Sequence, residues 1–472
     1  MDIALPQMMV PRESFPQAYR GCVYRARFSS LAPQDLLAAM NYLAQPNENE
    51  ALSVDARQEL DLRVGVAFSR LQTMYFRKHF GHQLGKLMVT YGPCQIPTLW
   101  FCVKRHSDIM AFVPLPYWTL SLTLTLNNSD PTTFQARLAR GSIWDAKEAK
   151  AALAAVKTAL GSHPETSDGS GSPTLLRVTS VRTWVSSRER PRPLNTVEML
   201  KMASEVLGLG PADALHSAEQ LYLKGVMSYP RTETDKYADN FDLEGTVRTL
   251  SEGRLPWSGE ADKLLKHGLA EPRMDGYDVG DHPPITPVRA ATPSQCGSGW
   301  ALYEEVCRHF LATVSPDAEF REAEATFIVG DEVFSARSVH VTSQGWAGVA
   351  RIHFEEEGSI DIANAGLHEG SVLEVSKVGL MHHLTTPPRH LTESALLELM
   401  DRHSIGTDAS MATHVGNVQR RGYVELDEQT REMRPSPLGL ALCYAYTLID
   451  PGLVLPTVRA SIENACVRIA EG

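Results

Sequence analysis

The chain has 472 residues, 43% of them hydrophobic and 21% charged, with a formal net charge of −11. That length exceeds a single core and predicts about three domains of an ordinary globular protein, while the lack of any apolar run of about 18 residues excludes a membrane-spanning helix. The acidic balance counts against nucleic acid, whose phosphates draw on basic surface; only local runs such as Arg182–Arg192 and Gln419–Arg421 answer it.

The seven cysteines (22, 94, 102, 296, 307, 443 and 466) are scattered and never spaced C-x-x-C, which suits a reducing compartment and predicts no zinc module. The opening MDIALPQMMVPRES has neither a basic start nor a long apolar core, so no secretory signal is expected. No G-x-x-x-x-G-K-[ST] loop occurs, since Gly81 to Lys86 has the wrong spacing and is followed by leucine.

In chain order, Arg25–Ser30 (RARFSS) leads to a short helix over about 33–43. A long helix from Val54 to Phe80 follows, with Leu60, Val64, Phe68, Leu71 and Tyr75 at helical spacing and a Glu59–Arg63 pair in the favourable i,i+4 order. Asp55, Glu59 and Asp61 on it are read as surface ion-pair formers rather than metal ligands, because such charge usually decorates a solvated face. Arg57 and Arg63 are the better phosphate candidates. Tyr91–Thr98 reads as a loop opening a helix from Leu99 to about Arg105.

Tyr117–Asn127 alternates Trp118, Leu120, Leu122, Leu124 and Leu126 with Thr and Ser, the pattern of a strand with one buried face. Asp145 caps a helix over 146–160, a flexible surface loop spans 161–174, and a second strand covers 175–185. Thr196–Leu207 is a helix, and Ser217–Lys224 is another, ended by Gly225. The chain after 237 reads as irregular and polar until Asp281-His282-Pro283-Pro284-Ile285-Thr286-Pro287, a stiff extended segment. Beyond it come a helix over 300–314 and strand-like pieces at 325–329, 333–341 and 371–378. These pieces are expected to join the two earlier strands in one discontinuous sheet domain. Thr392 and Ser410 cap two helices, bearing Leu396, Leu397 and Met400 and then Met411, Val415 and Val418, before a strand-like 423–426. A helix-turn-helix with a β wing is predicted, an arrangement used on nucleic acid and equally as plain structure. The pair His382–His383 has no such context and is left as surface.

The stretch with chemistry in it is Ser228–Tyr237 (SYPRTETDKY). A phenol is a nucleophile toward phosphorus, the guanidinium of Arg231 can grip a phosphate oxygen in two parallel hydrogen bonds, and Thr232 and Thr234 can donate more. An isolated Tyr-Pro-Arg is far more often a polar rim turn. This one is not isolated. SYPRTET resembles the active-site tyrosine motif of type IA DNA topoisomerases. RARFSS, VDARQELDLRVG (54–65), DHPPITP (281–287) and HSIGTDAS (403–410) stand in that family's order. VDARQELDLR and DHPPITP resemble the eukaryotic topoisomerase III group, its beta branch in particular.

The resemblance implies a multidomain α+β fold, a toroid-like core of helical and winged-helix domains plus a β-rich hinge. Residues 22–110 and 390–472 would form the DNA-groove domain, 112–190 and 288–388 the hinge or gate, and 191–287 the tyrosine domain. Residues 1–21 would be a remnant following an acidic Toprim domain. The implied reaction is ATP-independent breakage, passage and rejoining of single strands through a 5′-phosphotyrosine. Tyr229 would be the nucleophile, with Arg231 and His282 beside it. Arg57, Arg63, Gln95, Thr196, Lys224, Thr232, Glu233, Thr407, Asp408 and Ser410 would contact DNA. Bacterial relatives often carry arginine where this chain has Pro93, which removes the phosphate contact expected there. Magnesium belongs to the family, but its Asp-x-Asp-x-Glu set appears nowhere in the sequence, so the chain reads as a fragment or truncated form. The resemblance further implies single-stranded DNA or RNA as substrate, protein partners in recombination or RNA-binding complexes, and the nucleus, with the cytoplasm as alternative compartment. The competing reading is a non-catalytic single-strand-binding or scaffold protein derived from such an enzyme; a tyrosine recombinase would need a dispersed Arg-His-Arg set that is not seen.

Overall fold

The computed structural model describes residues 24–84, 88–126, 131–161, 174–280 and 282–472. The expected 1–21 remnant and Asp281 lie outside them, as does nearly all of the loop expected at 161–174. In order, the elements are α1 (Pro33–Asn41), α2 (Glu48–Leu84), α3 (Gln95–Met110), β1 (Pro116–Leu126), β2 (Thr132–Leu138), α4 (Ala146–Ala159) and β3 (Leu175–Arg188). Then come α5 (Thr196–Leu207), α6 (Pro211–Leu223), α7 (Leu243–Ser251), α8 (Ser258–His267), α9 (Pro293–Cys296), α10 (Trp300–Thr313), β4 (Ala318–Val329), β5 (Glu332–Ser343), α11 (Trp346–Val349) and β6 (Val372–Leu384). The last stretch carries β7 (Leu391–Thr392), α12 (Glu393–Arg402), α13 (Met411–Arg420), β8 (Val424–Leu426), β9 (Glu432–Pro435), α14 (Pro437–Ile449) and α15 (Pro456–Glu471).

Two compact units emerge. One comprises 1–111, 191–314 and 388–472; the other comprises 112–190 and 315–387. The second unit is the discontinuous sheet domain, a closed antiparallel barrel in the order β1-β2-β5-β4-β3-β6. Alternation dictates its interior: Leu120, Leu122, Leu124, Phe134, Ala136, Ala323, Ala325, Phe327 and Phe334 point inward, joined by Ala149, Ala152 and Val156 of α4. The Asp145 carboxylate caps α4 by accepting from the Lys147 and Glu148 amides at 2.8 Å each. The barrel's second segment begins at 315 rather than 288, because α10 buries Leu302, Val306 and Phe310 in the helical unit, where α5 and α6 pack against it. His382 and His383 lie on β6, and His383 stacks on Tyr117 with ring centroids 5.0 Å apart.

The first unit is helical, with the small sheet β7-β9-β8 forming the wing behind α12 and α13. Leu396, Leu397, Met400, Met411, Val415 and Val418 are all buried, and Thr392 caps α12 by accepting from the Ala395 amide at 3.1 Å. Ser410 makes no such bond at the start of α13; its Oγ accepts instead from the Thr407 amide at 3.0 Å, back across the turn. The segment read as irregular holds α7 and α8, whose buried Val247, Leu250, Ala261 and Leu264 are too few to show a period among Gly, Ser and Pro. The long helix α2 departs from expectation in its burial. Leu60, Leu71 and Tyr75 are exposed, since the helix packs along one narrow seam against α15, and its helical backbone breaks at Phe80.

Candidate active site around Tyr229

Helix α6 ends in a Schellman turn: the Gly225 amide donates to Tyr222 O at 2.8 Å and the Val226 amide to Leu221 O at 3.2 Å. Gly225 sits at φ +66°, a left-handed conformation that a side chain would strain. The chain leaves this turn extended and pairs with the proline-rich segment. Val288 N donates to Val226 O (2.9 Å), Ser228 N to Thr286 O (2.9 Å), and Thr286 N to Ser228 Oγ (2.8 Å). The Tyr229 amide donates to Ser29 O at 2.8 Å, so RARFSS forms the third wall of the loop.

Beneath the tyrosine lie two fully buried hydroxyls. Thr196 Oγ1 accepts from the Thr232 amide at 2.8 Å and lies 2.8 Å from Pro230 O. Thr232 Oγ1 donates to His282 O at 2.8 Å and accepts from the Thr234 amide at 3.1 Å. Both threonines therefore shape the loop from below rather than face solvent, a correction to their expected DNA contact.

Two of the three expected catalytic residues, Tyr229 and His282, pack together. The His282 ring lies against Tyr229 with centroids 4.6 Å apart, and Tyr222 meets the phenol ring edge-on at 5.2 Å. His282 Nδ1 is 2.7 Å from Ser29 Oγ. Arg231 reaches Glu219 through Nε (3.0 Å) and Nη2 (2.5 Å), and Ala409 O through Nη1 (2.5 Å). Ala409 belongs to the Thr407–Ser410 turn, so HSIGTDAS also meets the tyrosine loop. His414, just behind that turn, has its pKa pushed down to about 4 by burial and then by the Arg459 and Arg57 charges.

The other expected contacts are dispersed. Arg57 lies 3.5 Å from Glu463, Arg63 is an exposed partner of Glu59, and Lys224 Nζ donates to Cys296 O at 2.9 Å. Gln95 opens α3 but is buried, donating to Thr90 Oγ1 at 3.4 Å, and so does not present itself to a ligand. Glu233 is exposed, while Thr407, Asp408 and Ser410 are half-buried. Asp61 is bonded by the buried Arg459, which agrees with the ion-pair reading of the α2 carboxylates. Among the described residues no three His, Cys, Asp or Glu side chains gather in a way that could hold a metal ion. The Glu219 carboxylate is bound to Arg231. Sequence reasoning missed Glu219, twelve residues before Arg231, and the role of Ser29 inside RARFSS.

Comparison with known proteins gives the chain's family. A DNA topoisomerase family model matches residues 45–472, and the chain belongs to that family. Its relatives place it among the type IA enzymes, in the topoisomerase III beta branch. It is 40% identical over 451 residues to human DNA topoisomerase 3-beta-1, covering 95% of this chain and 50% of the human protein. It is equally similar to rice DNA topoisomerase 3-beta, at 40% over 451 residues and 49% of that protein. The chain thus spans about half the length of the curated relatives it matches. A solved structure of topoisomerase I from Thermotoga maritima shares the fold, with a TM-score of 0.71 at 19% identity over 95% of this chain and 69% of that one.

Proposed function

We propose that this chain carries the nucleophile and phosphate-holding residues of a type IA DNA topoisomerase acting on single-stranded DNA. The observation that carries the reading is the packing of His282 against Tyr229 on a loop whose backbone is bonded on both sides. Tyr229 Oη attacks a phosphodiester, the P–O3′ bond breaks, the phenolic proton is released and the 3′ oxygen takes one up. The 5′ phosphate stays on the tyrosine until the 3′ hydroxyl attacks and reverses the step. One phosphoester replaces another, so no ATP is needed. An ordinary phenol titrates near 10 and is a weak nucleophile at neutral pH. Arg231 answers this by holding charge on the phosphoryl oxygens, and His282 lies where a proton can be passed. The magnesium that the family implies does not fit the described residues, which gather no ligand set, and no step here is routed through it. Arg57, Arg63, Lys224, Glu233 and the Thr407–Ser410 turn are proposed to line the strand's path, and Thr196, Thr232 and Gln95 to support it from beneath. RNA is a second substrate of the same chemistry, and the nucleus is the proposed site of action, with protein partners in recombination or RNA-binding complexes.

The test is covalent trapping. A 3′-labelled single-stranded oligonucleotide is incubated with magnesium and quenched in detergent, with Tyr229→Phe as control. Labelled protein that depends on Tyr229 is expected. No adduct, even after fusion to the amino-terminal half of a 3-beta relative, would leave the non-catalytic binding protein as the better reading.

A further inference from the structure

We infer that Glu219 is the positioning residue of the phosphate-gripping arginine, an inference that rests on the reading of Arg231 just given. A guanidinium has five N–H groups in a rigid fork. Those on Nε and Nη2 facing α6 converge on one oxygen, Glu219 Oε1, at 3.0 and 2.5 Å, and one on Nη1 is held by Ala409 O at 2.5 Å. Two N–H groups, one on each terminal nitrogen, are left to take a phosphate oxygen. Without Glu219 the fork would hang on the Ala409 carbonyl alone and rotate about its last torsions. The carboxylate is well mounted for the task. It lies on α6 one helical turn before the capped end that launches the tyrosine loop, next to fully buried Ala218 and Leu221. With side-chain exposures of 33% and 26%, Glu219 and Arg231 form a pair at the mouth of the site, open to a ligand and sheltered on one side.

Orientation and charge predict opposite results for two substitutions. Glu219→Gln keeps an acceptor oxygen and loses the negative charge; Glu219→Ala loses both. The measurement is the affinity of the full chain for a labelled 15-nucleotide single-stranded oligonucleotide, taken as a function of salt. A cycle with Arg231→Ala accompanies it, and circular dichroism checks that each variant is folded. Arg231→Ala should weaken binding about tenfold and lower the salt slope by about 0.7, the counterion release of one single-strand phosphate contact. Glu219→Ala should do nearly the same in the wild-type background and nothing further in the Arg231→Ala background, while Glu219→Gln stays within about threefold of wild type. The inference is overturned if Glu219→Ala leaves the slope unchanged, if its effect adds to that of Arg231→Ala, or if Ala and Gln both tighten binding, which would make Glu219 only a repelling charge. Failure of the unmodified chain to bind the oligonucleotide would overturn the proposed function itself, a result separate from all of these.

Discussion

Replacing Thr232 by valine tests whether the tyrosine loop is held from beneath. The two side chains nearly match in shape, so no cavity opens, but the buried hydroxyl disappears. His282 O then loses its donor at 2.8 Å and the Thr234 amide its acceptor at 3.1 Å, at a residue with no exposure. Each such hydrogen bond contributes about 0.5–1.5 kcal/mol net, so the loss of two should destabilise the loop locally by about 1–3 kcal/mol. Because the chain has two units, a single global unfolding energy is ill defined, and the local measurement is hydrogen exchange read by mass spectrometry over 226–234. The reporters are the Ser228 and Tyr229 amides, which are bonded to Thr286 O and Ser29 O. At about 1.4 kcal/mol per tenfold, their protection should fall by roughly fivefold or more. A change below about fivefold would mean that the proline-rich segment and RARFSS hold Tyr229 without help from Thr232, and the reasoning would fail.

Three further outcomes are expected. His414 is depressed from 6.5 to about 4 in the folded chain, so its contribution is present above pH 6.5 and lost as pH falls through 4. The urea midpoint of the helical unit should drop between pH 7 and 4.5 by more in the native chain than in His414→Gln, the difference approaching about 3 kcal/mol; equal drops would refute it. Glu393 is fully buried and accepts from Arg431 and Gln419, so Glu393→Ala should cost about 3 kcal/mol or more by the same midpoint, and a loss under 1 would show the pair to be dispensable. Asp145→Ala removes the α4 cap and should lower the barrel unit's stability by about 1 kcal/mol, seen as faster exchange over 146–159 with none over 226–234.

Much of this architecture is legible in the chain because one residue type settles each local choice. The leucines of 120–126 can only alternate as a strand, Asp145 and Thr392 sit where a helix lacks acceptors, and Gly225 supplies the positive φ that frees the tyrosine loop. Short helices escape such reading: α7 and α8 bury only a few apolar side chains each, and tertiary packing rather than periodicity makes them helical. The stripe on α2 is a true helical period, yet period does not say what covers it, and Leu71 stays 69% exposed. At the site, motif order brings Tyr229, Arg231 and His282 to notice. It says nothing of Glu219, whose partnership with Arg231 depends on where α6 stops, nor of Thr196 and Thr232, which read as donors to a ligand until their burial is seen.

The barrel's closure has a consequence for synthesis. β1 must find β6, and β3 must find β4, across the stretch that builds α5 to α10. About 130 residues separate Arg188 from Ala318, which at roughly 5–20 residues per second leaves β3 waiting on the order of ten seconds for a partner strand. During that interval the leucine-rich β1 has one unpaired edge and an apolar face covered only by α4, the features by which strands of separate chains adhere. The open edge of β1 closes only when β6 is made, so translation speed over 189–371 sets how long the danger lasts.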